Sequence, residues 1–235
     1  SLPADWSFDS LSCPTVSGSG TSAQVSGGKV SISLGFFGHV ECTYVNKRKP
    51  EVKLVKDFDG TGTPIDLKLG DTVKGTFSAD GDTGFFTVEP GQYTASEAFQ
   101  QPTGGLYTTT SKCVANGSDP GFGAGLSQSF TAAPGDQVVC TFKNVRKTVQ
   151  VTTVKDFVGT SSPISIAAGP QSKSITGDDQ VSATVEAGTS QGLSETLTDG
   201  QKALYDTAVQ CTGDQASQAG VYSRQLDVGT DPVSC

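Results

Sequence analysis

Residues 138–147 read VVCTFKNVRK, and residues 40–49 read VECTYVNKRK, the same strand-like phrase 98 residues earlier. Working outward, VKLVKDF at 52–58 returns as VTTVKDF at 151–157, and TVEPGQYTASE at 87–97 returns as TVEAGTSQGLSE at 184–195 with one inserted residue. Glu97 and Glu195, Tyr107 and Tyr205, and Cys113 and Cys211 are each 98 apart. A fixed period of this size marks a tandem array of small domains, each one supersecondary unit with its own core. Placing the boundary after the C-T-x-x-N phrase divides the chain into three pieces. Residues 1–46 are the C-terminal half of a first repeat, 47–144 a complete repeat, and 145–235 a third repeat lacking its final strand. The chain is therefore expected to be a window on a longer array.

The local signals are β throughout. Short alternating runs such as QVVCTFKN are separated by Asp59-Gly60, Asp80-Gly81, Pro90-Gly91, Asn116-Gly117 and Pro134-Gly135, which are turn dipeptides. No segment keeps a 3.6-residue apolar period for three turns. Turn signals recurring along about 98 residues suggest an all-β chain of tandem β-sandwich repeats. The linkers NKRKPEV (46–52) and NVRKTVQ (144–150) contain neither Gly nor Ser, which favours stiff stacking over a flexible tether.

The chain has 235 residues, 29 of them Gly, and a formal net charge of −8. An acidic balance is wrong for a phosphate-binding surface, so no nucleic-acid partner is expected. No apolar run approaches the length of a membrane span. With His39 as its one histidine, histidine catalysis and most zinc sites are excluded as readings, and neither metal nor cofactor is expected. None of the six cysteines forms C-x-x-C. An even number of widely spaced cysteines reads as an exported disulfide protein.

Residues two apart on a strand share a face. Val52, Leu54, Lys56 and Phe58 form one such set, copied by Val149, Val151, Thr153, Lys155 and Phe157. Val138, Cys140, Phe142 and Asn144 form another, copied by Val40, Cys42, Tyr44 and Asn46. Tyr93, Ala95, Glu97 and Phe99 are answered by Leu193, Glu195 and Leu197. A Lys, a Glu and an Asn thus point inward from three strands of one small domain. Desolvating an isolated charge costs several kcal/mol, so inward Lys and Glu imply a pair. One reading is a buried Lys–Glu ion pair capped by Asn. The other is chemical: burial lowers the Lys pKa and supplies a neutral amine. That amine attacks the Asn carboxamide, a protonated Glu polarises the carbonyl, ammonia leaves, and an isopeptide bond remains.

Lys in a V-x-L-x-K-D opening strand, Glu in a P-G-x-Y-x-x-x-E strand and Asn closing a C-T-F-x-N strand resemble CnaB-type domains. These are the SpaA-type, prealbumin-like (Ig-like) repeats of bacterial adhesins and pilins. The resemblance covers the complete repeat and part of both flanking pieces. It implies a prealbumin-like sandwich, Lys56 and Asn144 as the cross-linked pair, and Glu97 as the assisting acid. Lys155 and Glu195 match in the third piece, whose Asn would lie beyond Cys235, and Asn46 matches in the first. The cysteine pair in each repeat and Ala187-Gly188 in place of Pro90-Gly91 depart from the pattern.

DFDGTG at 57–62 and ADGDTG at 79–84 lack the spacing and distal Glu of a calcium loop. Asn116-Gly117-Ser118 fits a glycan sequon and equally a turn, Trp6 has no constellation around it, and the KRK and RK clusters read as linker contacts. No nucleophile–base pair for turnover is present, so the chain is not expected to be an enzyme. The expected function is a structural stalk or filament of an extracellular bacterial surface protein, partnered by neighbouring repeats or identical subunits. The alternatives are a ligand-binding adhesin module, marked by an insertion or aromatic cluster in one repeat, and the accessory domains of a secreted enzyme. Six cysteines allow 15 connectivities, and the repeat symmetry selects Cys13–Cys42, Cys113–Cys140 and Cys211–Cys235. Peptide mapping without reductant should recover these pairs; a Cys42–Cys113 peptide would refute the repeat alignment.

Overall fold

A computed structural model describes residues 2–213 and 218–235, which form β-strands joined by turns, with one short α-helix at Asp199–Lys202. That helix is a single turn closed by a capping box between Thr198 and Gln201. The chain divides into two compact units. One comprises residues 1–57, 65–98 and 110–143; the other comprises 58–64, 99–109 and 144–235.

The first unit holds two facing sets of strands. In one sheet the strand order is Gly81–Asp82, Glu51–Asp59, Gln137–Arg146, Tyr107–Ala115, Gly123–Ala124, with Phe86–Thr87 also paired to Glu51–Asp59. In the other the order is Ser127–Ala132, Gly91–Phe99, Ile65–Leu69, Thr72–Phe77. The alternation of the sequence becomes alternation of burial. Val52, Leu54, Ile65, Leu67, Ala95, Val138, Cys140 and Phe142 are fully buried, and the intervening residues face outward. Each of the Val, Leu, Ile and Phe side chains in this set contributes roughly 1.5–3 kcal/mol by leaving water. Ahead of these sheets, Trp6–Ser12 pairs antiparallel with Thr43–Arg48, setting Phe8 opposite Asn46. Thr15–Ser19 pairs with Phe36–Val40, and Ser22–Ser26 with Lys29–Ser33.

The second unit contains a sheet ordered Asp179–Glu186, Thr148–Lys155, Val233–Ser234 and another ordered Gln171–Ile175, Ile164–Ala168, Ser190–Thr196, Ser223–Asp227. Val233–Ser234 runs parallel to Thr148–Lys155, with Val151 opposite Val233. Val149, Val151, Ala168, Ala183, Val185, Leu193 and Val228 form one buried cluster, and Ile164, Ile166, Ile175 and Leu197 another.

Disulfides join Cys13 to Cys42, Cys113 to Cys140 and Cys211 to Cys235. The Cys113–Cys140 bridge ties the strand Tyr107–Ala115 to its neighbour Gln137–Arg146 across 27 residues of chain. Its main effect is to restrict the unfolded ensemble, worth about 3–4 kcal/mol for a loop of this length. Replacing both Cys113 and Cys140 by Ser is expected to lower stability by that amount, read from urea unfolding extrapolated to water, with a steeper slope because the released unfolded chain exposes more surface.

Candidate functional site

The opening strand Glu51–Asp59 alternates inward and outward residues, and its third inward position is a lysine. Lys56 is 1% exposed, among the largest side chains that the described residues bury completely. Its Nζ lies 3.0 Å from Oε2 of Glu97, on the strand Gly91–Phe99, with both side chains fully withdrawn from water. The same Nζ donates a 3.0 Å hydrogen bond to the carbonyl of Phe142 on the closing strand Gln137–Arg146. Burial pulls the Lys56 ammonium below its usual value, while the Glu97 carboxylate beside it, and then Asp57 and Asp80 farther off, act in the opposite sense.

Asn144 sits two residues beyond Phe142 on the same face of the closing strand, with no exposure at all. Its side-chain nitrogen and oxygen have no hydrogen-bond partner among the described residues. An unsatisfied buried amide costs about 1–3 kcal/mol per group, so an Asn kept dry in this way calls for a reason beyond packing.

The partial copies differ in degree. Lys155 and Glu195 are paired at 2.9 Å, but their side chains remain 18% and 11% exposed. They line a cleft of about 210 Å³ together with Leu193, Tyr222 and Arg224. Asn46 lies opposite Phe8 in its ladder and is half-buried. Sequence reasoning missed the Phe142 carbonyl, because a backbone acceptor leaves no mark in residue identity. It also missed an aromatic pair in the first piece. Phe36 and Phe37 stand 84% and 88% exposed with ring centroids 4.9 Å apart, Phe37 at φ +56°. The signal was there, since the corresponding turn of the complete repeat carries Pro134-Gly135.

Residues 61–146 match the family of SpaA-type prealbumin-like fold domains. Over these residues the chain is similar to SpaA-type prealbumin-like domains. The chain is also similar in structure to a point variant of the major pilin from Streptococcus pyogenes, at 14% identity over 78% of this chain and 96% of that one, with a TM-score of 0.41. A major pilin from another Streptococcus pyogenes serotype shares 13% identity over 80% of this chain and 97% of that one, with a TM-score of 0.38. The Bacillus anthracis TIE protein shares 11% identity over 96% of this chain and 41% of that one, with a TM-score of 0.39. No curated protein matches the chain in sequence.

The matched segment of the prealbumin-like domain holds Glu97, Phe142 and Asn144, while Lys56 lies on the strand just ahead of it. Lys56→Ala leaves the Glu97 carboxylate buried without its cation. The expected loss is about 3–5 kcal/mol, read by chemical denaturation. Lys155→Ala, at a pair that water reaches, should cost measurably less.

Proposed function

We propose that this chain is part of a structural stalk or filament of an extracellular bacterial surface protein, built of disulfide-bonded repeats. In this reading residues 1–46 close one repeat, 47–144 form a complete one and 145–235 most of a third. An intramolecular isopeptide bond between Lys56 and Asn144 locks the complete repeat. Two observations support the lock. A fully desolvated Lys56–Glu97 pair touches the strand on which Asn144 holds a dry, unpartnered carboxamide.

The chemistry balances without a co-reactant. One proton passes from the Lys56 ammonium to Glu97, leaving a neutral amine and a protonated carboxyl. Nζ attacks Cγ of Asn144 while the Glu97 carboxyl donates to the carbonyl oxygen. As the tetrahedral carbon collapses, the C–N bond to Nδ2 breaks and Glu97 relays the amine proton to the departing nitrogen. The products are a secondary amide and ammonia, and Glu97 is left holding the proton it first took from Lys56; that proton departs with the ammonia as ammonium and restores the carboxylate. Holding the groups together supplies the effective molarity that a single-turnover reaction needs.

A second reading has one observation in its favour. The exposed Phe36–Phe37 pair is an aromatic feature confined to one repeat, the kind of surface a ligand-binding adhesin module would present.

Intact-protein mass spectrometry decides the lock. The expected mass is the sum of the residues, less the hydrogens of three disulfides and less one ammonia. Glu97→Ala and Lys56→Ala should each restore the ammonia. A wild-type mass without the loss leaves an ionic pair and removes the lock, while the stalk reading stands on repetition and disulfides.

The proton count makes a second prediction. The reactive pair of amine and acid holds the same number of protons as the ion pair, so bond formation should be independent of pH across the neutral range. The rate should fall on the alkaline side at a pH below the usual lysine value of 10.5, because burial lowers the Lys56 pKa and the pair then loses its shared proton. Following the mass from the moment an unreacted chain is refolded at different pH values tests this; a rate rising steadily to pH 10.5 would contradict it.

A further inference from the structure

Two segments, Phe58–Pro64 and Phe99–Thr109, each a loop with the strand ends that flank it, lie in sequence within residues 47–144 yet belong to the second unit. There they form a socket. Tyr107 donates its hydroxyl to the Thr61 carbonyl at 2.7 Å, and its ring lies 6.0 Å from that of Phe58. Into this socket fits a plug from the segment that follows. Arg146 donates from Nη1 to the Tyr107 hydroxyl at 2.5 Å and from Nε to the Ala187 carbonyl at 2.8 Å, its guanidinium 4.8 Å from the Tyr107 ring centroid. Glu186 Oε1 accepts from the Thr61 amide at 3.1 Å. The Lys147 amide donates to the Leu106 carbonyl at 2.9 Å. The fit is close: a Cβ on Gly60 would lie 2.6 Å from Glu186 Oε1, and one on Gly188 2.5 Å from Leu106 Cδ1.

The third repeat carries the same socket. FDGT at 58–61 returns as FVGT at 157–160, and Leu106-Tyr107 returns as Leu204-Tyr205. Tyr205 donates to the Thr160 carbonyl at 2.8 Å, its ring is 6.0 Å from Phe157, and Gly159 holds φ +99° where Gly60 holds +96°. The surroundings differ. A Cβ on Gly159 meets nothing within 4 Å. Leu204 is 80% exposed and Val158 is 96% exposed. Two large apolar side chains beside a preformed hydroxyl-to-carbonyl bond are out of place on an open surface. The plug also recurs. Arg48 and Lys49 stand where Arg146 and Lys147 do, Glu89-Pro90-Gly91 where Glu186-Ala187-Gly188 do, and the Lys49 amide donates to the Asp5 carbonyl at 2.7 Å.

We propose that Gly159, Thr160, Leu204 and Tyr205 form a docking socket for a further β-domain of this same repeat, recognised by a linker arginine and a Glu-x-Gly turn. The Thr160 amide takes the glutamate, the Tyr205 hydroxyl takes the guanidinium, and Leu204 covers the turn glycine. No other occupant suits it as well, because these groups have the spacing at which Thr61, Tyr107 and Leu106 receive that plug. Tethering raises the effective concentration, so a handful of hydrogen bonds suffices to hold the junction. The proposal is independent of the Lys56–Asn144 bond.

Amide hydrogen exchange on the chain tests it in three steps. Glu186→Ala should speed exchange of the Thr61 amide about ten-fold, the effect of losing a charge-assisted bond, and leave the Thr160 amide unchanged. Asp59→Val, Gly62→Ser and Thr63→Ser together install the third repeat's turn, FVGTSSP, in the engaged socket. Thr61 should stay protected and remain sensitive to Glu186→Ala; loss of that protection would show that the third repeat's turn is no socket and overturn the proposal. Finally, a chain lengthened after Cys235 by its own residues 141–235 should slow the Thr160 amide about ten-fold, and Glu186→Ala in the added copy should reverse it. An unchanged Thr160 rate in a lengthened chain whose added disulfide has formed overturns the proposal. Where the added copy does not fold, the installed turn decides.

Discussion

Burying the Lys56 ammonium is the constraint on which the rest of this β-domain depends. The cost of desolvating it is offset only if Glu97 and the Phe142 carbonyl both arrive within hydrogen-bond distance, and they come from two different strands. A slip of one residue in either strand would turn the partner to the solvent face, because strand side chains alternate with a period of two. The Cys113–Cys140 bridge fixes that register where it matters. It pins the closing strand two residues before Phe142 and four before Asn144. Disulfide and buried pair are thus two parts of one device, one holding the strand and the other using its position.

The buried pair was legible in the sequence, because a polar residue in an otherwise apolar period-two series contradicts its surroundings. Lys56, Glu97 and Asn144 each do so, and their copies Lys155, Glu195 and Asn46, 99, 98 and 98 residues away, exclude accident. The socket was not legible in the same way. Its bonds run through the Thr61 amide and the carbonyls of Leu106 and Ala187, and any residue supplies those groups. The basic clusters at 47–49 and 146–147 did point to the linker, but their charge does not say that Arg146 would lie against a tyrosine. Phe36 and Phe37 escaped for another reason. Two residues at the start of a short strand make neither an insertion nor a periodic pattern, and only the exposure of both rings sets them apart.

Repetition here preserves geometry while varying how completely it is enclosed. Lys56–Glu97 and Lys155–Glu195 have nearly the same separation, yet only the first is sealed from water. The junction elements vary too. The Ala187 amide donates to the Lys147 carbonyl at 2.9 Å; Pro90, at the matching position, has no N–H to give. There Lys49 reaches Glu89 through its side chain instead, at 2.5 Å. The substitution that looked like a departure from the family pattern therefore exchanges a backbone bond for an ion pair at the same place in the repeat.

The proposed Lys56–Asn144 lock would have a mechanical consequence. The Glu51 amide bonds the Asp136 carbonyl at one end of the opening strand, and Lys56 reaches Phe142 farther along. Residue numbers rise together on both strands, so the opening and closing strands are parallel neighbours. A pull applied through the two ends of the repeat draws them past each other in shear, and every hydrogen bond of the ladder between them is loaded at once. The proposed bond from Lys56 to Asn144 would join the same two strands. It would carry the load directly from one to the other and leave the residues between them, with their turns and their disulfide, outside the path of force. A bond between any other pair of strands would leave one of the two pulled strands free to extend. The inward lysine therefore belongs on the opening strand and the asparagine on the closing one, which is where the sequence places them.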